Sequence, residues 1–232
     1  MPMPYYVSPE QMMQDKAEYA KKGIARGRSI VVLEYNEGIL FVADNPSSLN
    51  KISEVYDRIA FAGAGRYSEF ENLRKAGIRH ADMKGFMYSR DDVNAKSLVN
   101  AYSQALGTVF SQENKPFEVE VLVVAVGVGE ARNEIYRVSF DGSIFDEKSF
   151  TVIGGKSDAL LTKLKNRYAD APASAASLKE AILSCVTAMG EVNNQKLSDD
   201  ALEVAILARL GTGRVFRRLP QSELAEYLKP SA

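Results

Sequence analysis

The residues able to do chemistry are few, and each is paired with a plainer reading. His80 is the only histidine and Cys185 the only cysteine. A Ser-His-Asp or Cys-His nucleophile would have to be built on them, and a zinc site has no second thiol to share. His80 lies in the charged stretch RKAGIRHADMKG, where a solvated histidine at a helix end is expected. Cys185 lies in AILSCVTAM, where a small buried hydrophobe is expected. Asp91 and Asp92 could form a carboxylate pair, yet their position before an apolar helical pattern suits a cap. Ile153-Gly154-Gly155-Lys156-Ser157 ends like a phosphate-binding loop, but the spacing asks for glycine at 150, where Phe150 stands. Gly63-Ala64-Gly65 matches two of the three glycines of a dinucleotide fingerprint, with Ser68 at the third. The expected role of both glycine groups is a tight turn with close packing. No enzymatic constellation stands on these residues alone, and no cofactor or metal is expected.

Composition narrows the field further. The 232 residues are 46% hydrophobic, with 29 Lys plus Arg against 30 Asp plus Glu. A chain of this size can bury roughly 70% of its unfolded surface without disulfides or metals. A formal charge of -1 supplies no field to concentrate nucleic acid or anionic lipid. One cysteine allows no internal disulfide, which suits a reducing cytosol. The start MPMPYYVSPEQ has neither a basic segment nor the apolar run of a leader, and no stretch reaches the roughly 20 apolar residues of a membrane span. A cytoplasmic protein is expected.

The elements that must position these residues follow from pattern. Ser8, Pro9 and Gln11 form a helix start of the S-x-x-Q type, and Gly23 is read as its stop, predicting a helix over 9–22. Its thin apolar face of Met13, Ala17 and Ala20 places it on a surface, against a neighbouring subunit. SIVVLEY with ILFVA, and KISEVY with IAFAGAG, read as two hairpins. Helices are predicted from Tyr67 to Arg79 and from Val93 to Gln112, then the strands VEVLVVAV, EIYRVSF, SIFDEKSF and FTVIGG. Two further helices, Ser157 to Tyr168 and Ser177 to Met189, precede the strand LEVAILAR, a turn at GTGR and a short closing helix in PQSELAEYL. Strands clustered between short turns must pair antiparallel. The order strands, helix pair, strands, helix pair therefore predicts an α+β protein, a four-layer α/β/β/α sandwich of two antiparallel sheets. One domain over residues 1–232 is expected.

The segments SPEQMMQDKAEYAKKGIARG, LFVADNPSSLNKISEVYDRIAFAGAG, NAYSQALGTVF with KPFEVEVLVV, and YRVSFDGSIFDE resemble the proteasome α subunits of actinobacteria. The resemblance runs through most of the chain to about Gly155. It implies the sandwich of N-terminal-nucleophile hydrolases, whose β-type members use a processed N-terminal threonine opening the first strand. This chain carries Arg28 and Ser29 there, behind a helix, and such a nucleophile cannot use its own amine inside a continuous chain. Asp44 and Lys51 are similar in position to acidic and lysine residues of the β-type site.

By the same resemblance Lys51 receives the C-terminal carboxylate of a ring-shaped ATPase activator, a charge-assisted bond of roughly 1.5 to 3 kcal/mol that avidity multiplies around a ring. Without the family it is an exposed edge lysine. Gly23 matches a residue near that pocket, with a helix C-cap as its simpler role. The stretch Met1, Pro2, Met3, Pro4, Tyr5, Tyr6 and Val7 resembles a gating tail; disorder competes, and the Tyr-Asp-Arg tripeptide of archaeal and eukaryotic tails is missing. Pro116 and Phe117 match a loop narrowing the ring entrance. The implied parts are then a gating tail over 1–7, a helix over 8–23 and a sandwich over 28–232. The implied assembly is a homo-heptameric, non-catalytic α ring on β subunits, served by a hexameric AAA ATPase and admitting unfolded substrates carrying a small ubiquitin-like tag. The alternatives are a self-compartmentalised hydrolase activated by cleavage before Ser29 and a cofactor-binding module using Gly154 and Gly155.

Overall fold

The computed structural model describes residues 8–211 and 214–229. Helix α1 (Pro9–Ala25) is followed by strands β1 (Ile30–Tyr35), β2 (Gly38–Asp44), β3 (Ile52–Tyr56) and β4 (Ile59–Gly65). Helices α2 (Tyr67–Met87) and α3 (Ala95–Gln112) come next, then β5 (Val119–Ala125), β6 (Glu134–Val138), β7 (Ile144–Glu147) and β8 (Phe150–Ile153). The chain closes through α4 (Ser157–Arg167), α5 (Leu178–Asn193), β9 (Leu202–Ala208), β10 (Phe216–Arg218) and α6 (Gln221–Leu228).

The strands form two antiparallel five-stranded sheets, ordered β10-β9-β2-β1-β8 and β3-β4-β5-β6-β7. Each expected hairpin is present, with Val32 opposite Phe41 in one and Ser53 opposite Phe61 in the other. The two hairpins belong to different sheets, and β7 and β8 part company at Ser149, whose φ is 65°. Alternation along β1 shows the layering. Ile30 and Val32 point between the sheets, towards Ala60, Ala62, Leu122 and Val124, whereas Val31 and Leu33 face Leu160, Ile182 and Cys185. With both faces buried, the strand reads as an unbroken apolar run, because a period of two sends alternate side chains to two different cores. On the other sheet Phe61, Val121 and Val123 meet Phe70, Leu98, Tyr102 and Leu106 of α2 and α3. The four-layer α/β/β/α sandwich of the expectation is the observed architecture.

Several boundaries differ from the sequence reading. Gly23 does not end α1, which runs on to Ala25 with Arg26 as its C-cap. At the other end the Ser8 hydroxyl accepts from the Gln11 amide at 3.1 Å, but the Gln11 side chain turns to Asp15 at 2.8 Å, so the capping box is half made. The inner face of α1 is Ala17, Ala20 and Ile24, packed on Phe140 and Phe110, while Met12, Met13 and Tyr19 are exposed. Helix α2 continues eight residues beyond Arg79, so His80 is an exposed mid-helix residue with its Nε2 3.0 Å from Ser97 Oγ. Asn94 caps α3, accepting from the Ser97 amide at 3.0 Å; Asp91 and Asp92 lie in the preceding single turn of 3-10 helix. Strand β10 has no counterpart in the expectation.

Candidate functional site

The entrance to β1 gathers the residues singled out there. Ser29, only 4% exposed, immediately precedes β1, and its carbonyl accepts from the Asp44 amide at 3.1 Å. The Arg28 guanidinium donates through Nη1 to Asp44 Oδ1 at 2.7 Å; the carboxylate is 7% exposed and the arginine 53%. Lys51 Nζ reaches into the same corner, donating to the carbonyls of Asp44 at 3.2 Å and Arg28 at 3.4 Å. Burial pushes the Lys51 ammonium below the usual lysine value; Asp44 opposes that shift and Arg28 adds to it. One of its three N–H donors remains for another acceptor.

Behind this corner Glu203 fixes the start of β3. Its Oε2 accepts from the Lys51 amide and from Asn45 Nδ2, both at 2.8 Å, and its Oε1 from the Ile52 amide at 3.2 Å and Arg218 Nη2 at 3.4 Å. This hub was missed in the sequence. Its signal is the single acid in LEVAILA, a run buried on both faces that admits a charge only when hydrogen bonds satisfy it.

The corner brings Asp44 and Lys51 together beside the buried Ser29. A usable nucleophile here must own a free α-amine, and the backbone before Ser29 is continuous with α1. The Gly27 carbonyl accepts from the Gly155 amide at 2.8 Å, tying the junction to the turn ahead of α4. Asp44 is committed to Arg28, and Lys51 to backbone carbonyls.

Gly23 faces elsewhere. An added Cβ would stand 2.5 Å from Glu118 Oε2, 2.6 Å from its Cγ and 2.7 Å from its Cβ, so the glycine lets α1 approach the start of β5. Pro116 is buried and Phe117 packs, half-buried, among the residues between α2, α3 and their sheet. Met1 to Val7 lie outside the described residues.

The remaining candidates take their plainer roles. Lys156 Nζ donates to the Val192 carbonyl at 3.2 Å, which turns it to the end of α5, and Gly154 adopts a φ of 90° where β8 turns into α4. Gly63 accommodates the Phe70 ring, whose Cγ would lie 2.6 Å from an added Cβ. Cys185 is fully buried and its thiol is pushed up to about 12 by that burial. Among the described residues, no group of three or more His, Cys, Asp or Glu could hold a metal ion, and no helix is long and apolar enough to cross a membrane.

Two antiparallel five-stranded sheets between helix pairs are the sandwich of the N-terminal-nucleophile hydrolase-like fold. Residues 24–207 match the family model described as proteasome subunit, and the chain belongs to that family. Its likeness within the family is to α subunits of actinobacteria. It is 50% identical over 233 residues to the proteasome subunit alpha of Thermomonospora curvata, with the full length of both chains covered. It is 52% identical to that of Saccharomonospora viridis, covering 100% of this chain and 92% of the relative. For Thermobifida fusca the identity is 51%, over 99% and 92%.

Proposed function

We propose that this chain is a non-catalytic α subunit of a cytoplasmic proteasome core, forming a homo-heptameric outer ring on rings of β subunits that carry the catalytic residues. The observation that carries the reading is the junction at Ser29. The residue opening the first strand has an amide in place of an amine, Arg28 occupies Asp44, and α1 is packed in front. A chain built this way does not cut; it can admit and exclude. In this reading Met1 to Val7 close the axial entrance, Pro116 and Phe117 narrow it below, and unfolded proteins carrying a small protein tag pass inward.

Docking falls to Lys51 and Gly23, at pockets between neighbouring copies. The C-terminal carboxylate of a hexameric AAA ATPase would take the remaining Lys51 donor. Support comes from the Lys51 Nζ being held on two backbone carbonyls and by no carboxylate, which leaves a donor directed at an incoming acceptor. The ATPase consumes the nucleotide; this chain needs none.

The test is peptide hydrolysis by the chain alone, with its β partner, and with that partner after deletion of Met1 to Val7. An inert chain and an accelerated deletion particle are expected. Hydrolysis by the chain alone would make it an enzyme, and a deletion without effect would remove the gate.

A further inference from the structure

The loop carrying Pro116 and Phe117 is fastened to α1 by a cluster of charges and hydrogen bonds. Lys16 Nζ donates to the carbonyls of Glu113 at 2.7 Å and Phe110 at 3.2 Å. The Lys115 ammonium lies 5.7 Å above the ring of Tyr19, which stands beside the Glu118 carboxylate. Lys115 also reaches Glu118 at 3.4 Å and Glu69 at 2.8 Å, while Glu69 Oε2 accepts from the Glu118 amide at 2.7 Å. The Glu118 side chain, 15% exposed, lies directly under Gly23.

Glu118 therefore touches three things at once. It meets the one position of α1 where the helix has no side chain, it stands beside Tyr19 one turn earlier, and it is the residue next to Phe117. A helix that moved at Gly23 could not leave Glu118 behind without opening a gap where the two now meet. We infer that Glu118 is a positioning residue that locks the Pro116–Phe117 loop to α1, so that a displacement of α1 at Gly23 is delivered to the entrance of the ring. This rests on the docking and entrance roles proposed above, but the lock itself does not.

The test uses the particle assembled with β subunits and hydrogen exchange of the amides of residues 113–119 and 18–27. The probe is a decapeptide with a free C-terminal carboxylate, with the same peptide amidated as control. In the wild-type particle the carboxylate peptide is expected to alter exchange in both segments. In Glu118→Gln and in Tyr19→Phe it should bind with unchanged affinity and alter only residues 18–27. A response at 113–119 retained in both variants would overturn the inference. Should the peptide fail to bind the wild-type particle, the docking reading falls by itself. The lock is then judged on unliganded exchange, where Glu118→Gln must raise exchange at 113–119; unchanged exchange there overturns it.

Discussion

Replacing Gly23 by alanine sets two effects of opposite sign against each other. Gly23 lies inside a helix with ordinary helical backbone, and alanine in such a place normally adds about 0.5–1 kcal/mol by lowering the entropy of the unfolded chain. Here the new methyl would meet Glu118 Cγ at 2.6 Å and Cβ at 2.7 Å. The Oε2 end of that side chain can swing away, but its Cβ is carried by the backbone at the edge of β5, so a shift of α1 or of the loop is unavoidable. Overpacking of this kind costs about 1–3 kcal/mol. The expected balance is a destabilisation of about 1 kcal/mol, or a loss of about 3 °C in Tm for a chain of this length. Scanning calorimetry at fixed protein concentration reads it. The internal control is the same change in a Glu118→Gly background, where the obstacle is gone and Gly23→Ala should raise Tm relative to that background. If Gly23→Ala raises Tm in the wild-type chain, the close approach is not what keeps this position glycine.

Other expectations follow from the same contacts. Glu203→Gln leaves one acceptor oxygen for the Lys51 and Ile52 amides, Asn45 and Arg218, and should cost about 3 kcal/mol in urea denaturation. Cys185, with its thiol pushed up to about 12, should resist iodoacetamide at pH 8 in the native chain and react fully once unfolded. Glu180 is held below its ordinary value by the Ser177 amide and hydroxyl. Its contribution is thus present above the unfolded value of 4.5 and lost as pH falls through the folded one. Ser177→Ala should lower Tm at pH 7, and the gap to wild type should narrow in acid.

The layered fold was legible because doubly buried strands announce themselves as continuous apolar runs, and because the turns between them are too short for anything but antiparallel pairing. Failures occurred where a residue's local meaning was overruled by a distant neighbour. Gly23 has the look of a stop after KKG, yet what it answers to is Glu118, 95 positions away in the sequence. Helix α2 runs past its expected end at Arg79 with Gly77 and Gly85 inside it, where they make room for the hydroxyls of Tyr102 and Tyr56. Strand β10 is three residues long with two arginines, below any period a pattern can register, and is recruited by pairing with β9. At the mouth of β1, Arg28, Asp44 and Lys51 were legible by resemblance. Glu203 was missed although it is the lone acid of a doubly buried run, because three of its partners, the Lys51 and Ile52 amides and Asn45, lie more than 150 positions away in the sequence.

The two sheets draw on the chain differently, and that sets an order of events during synthesis. One sheet uses β3 to β7, a single stretch from Ile52 to Glu147, and can be completed as soon as that stretch has left the ribosome. The other pairs β1 with β8 and β2 with β9, so the hairpin made first waits with both edges open until Ile153, and with its β2 edge open until Ala208, has been translated. At roughly 5–20 residues per second that wait lasts on the order of ten seconds. An exposed apolar hairpin of that lifetime is what chaperones are built to hold.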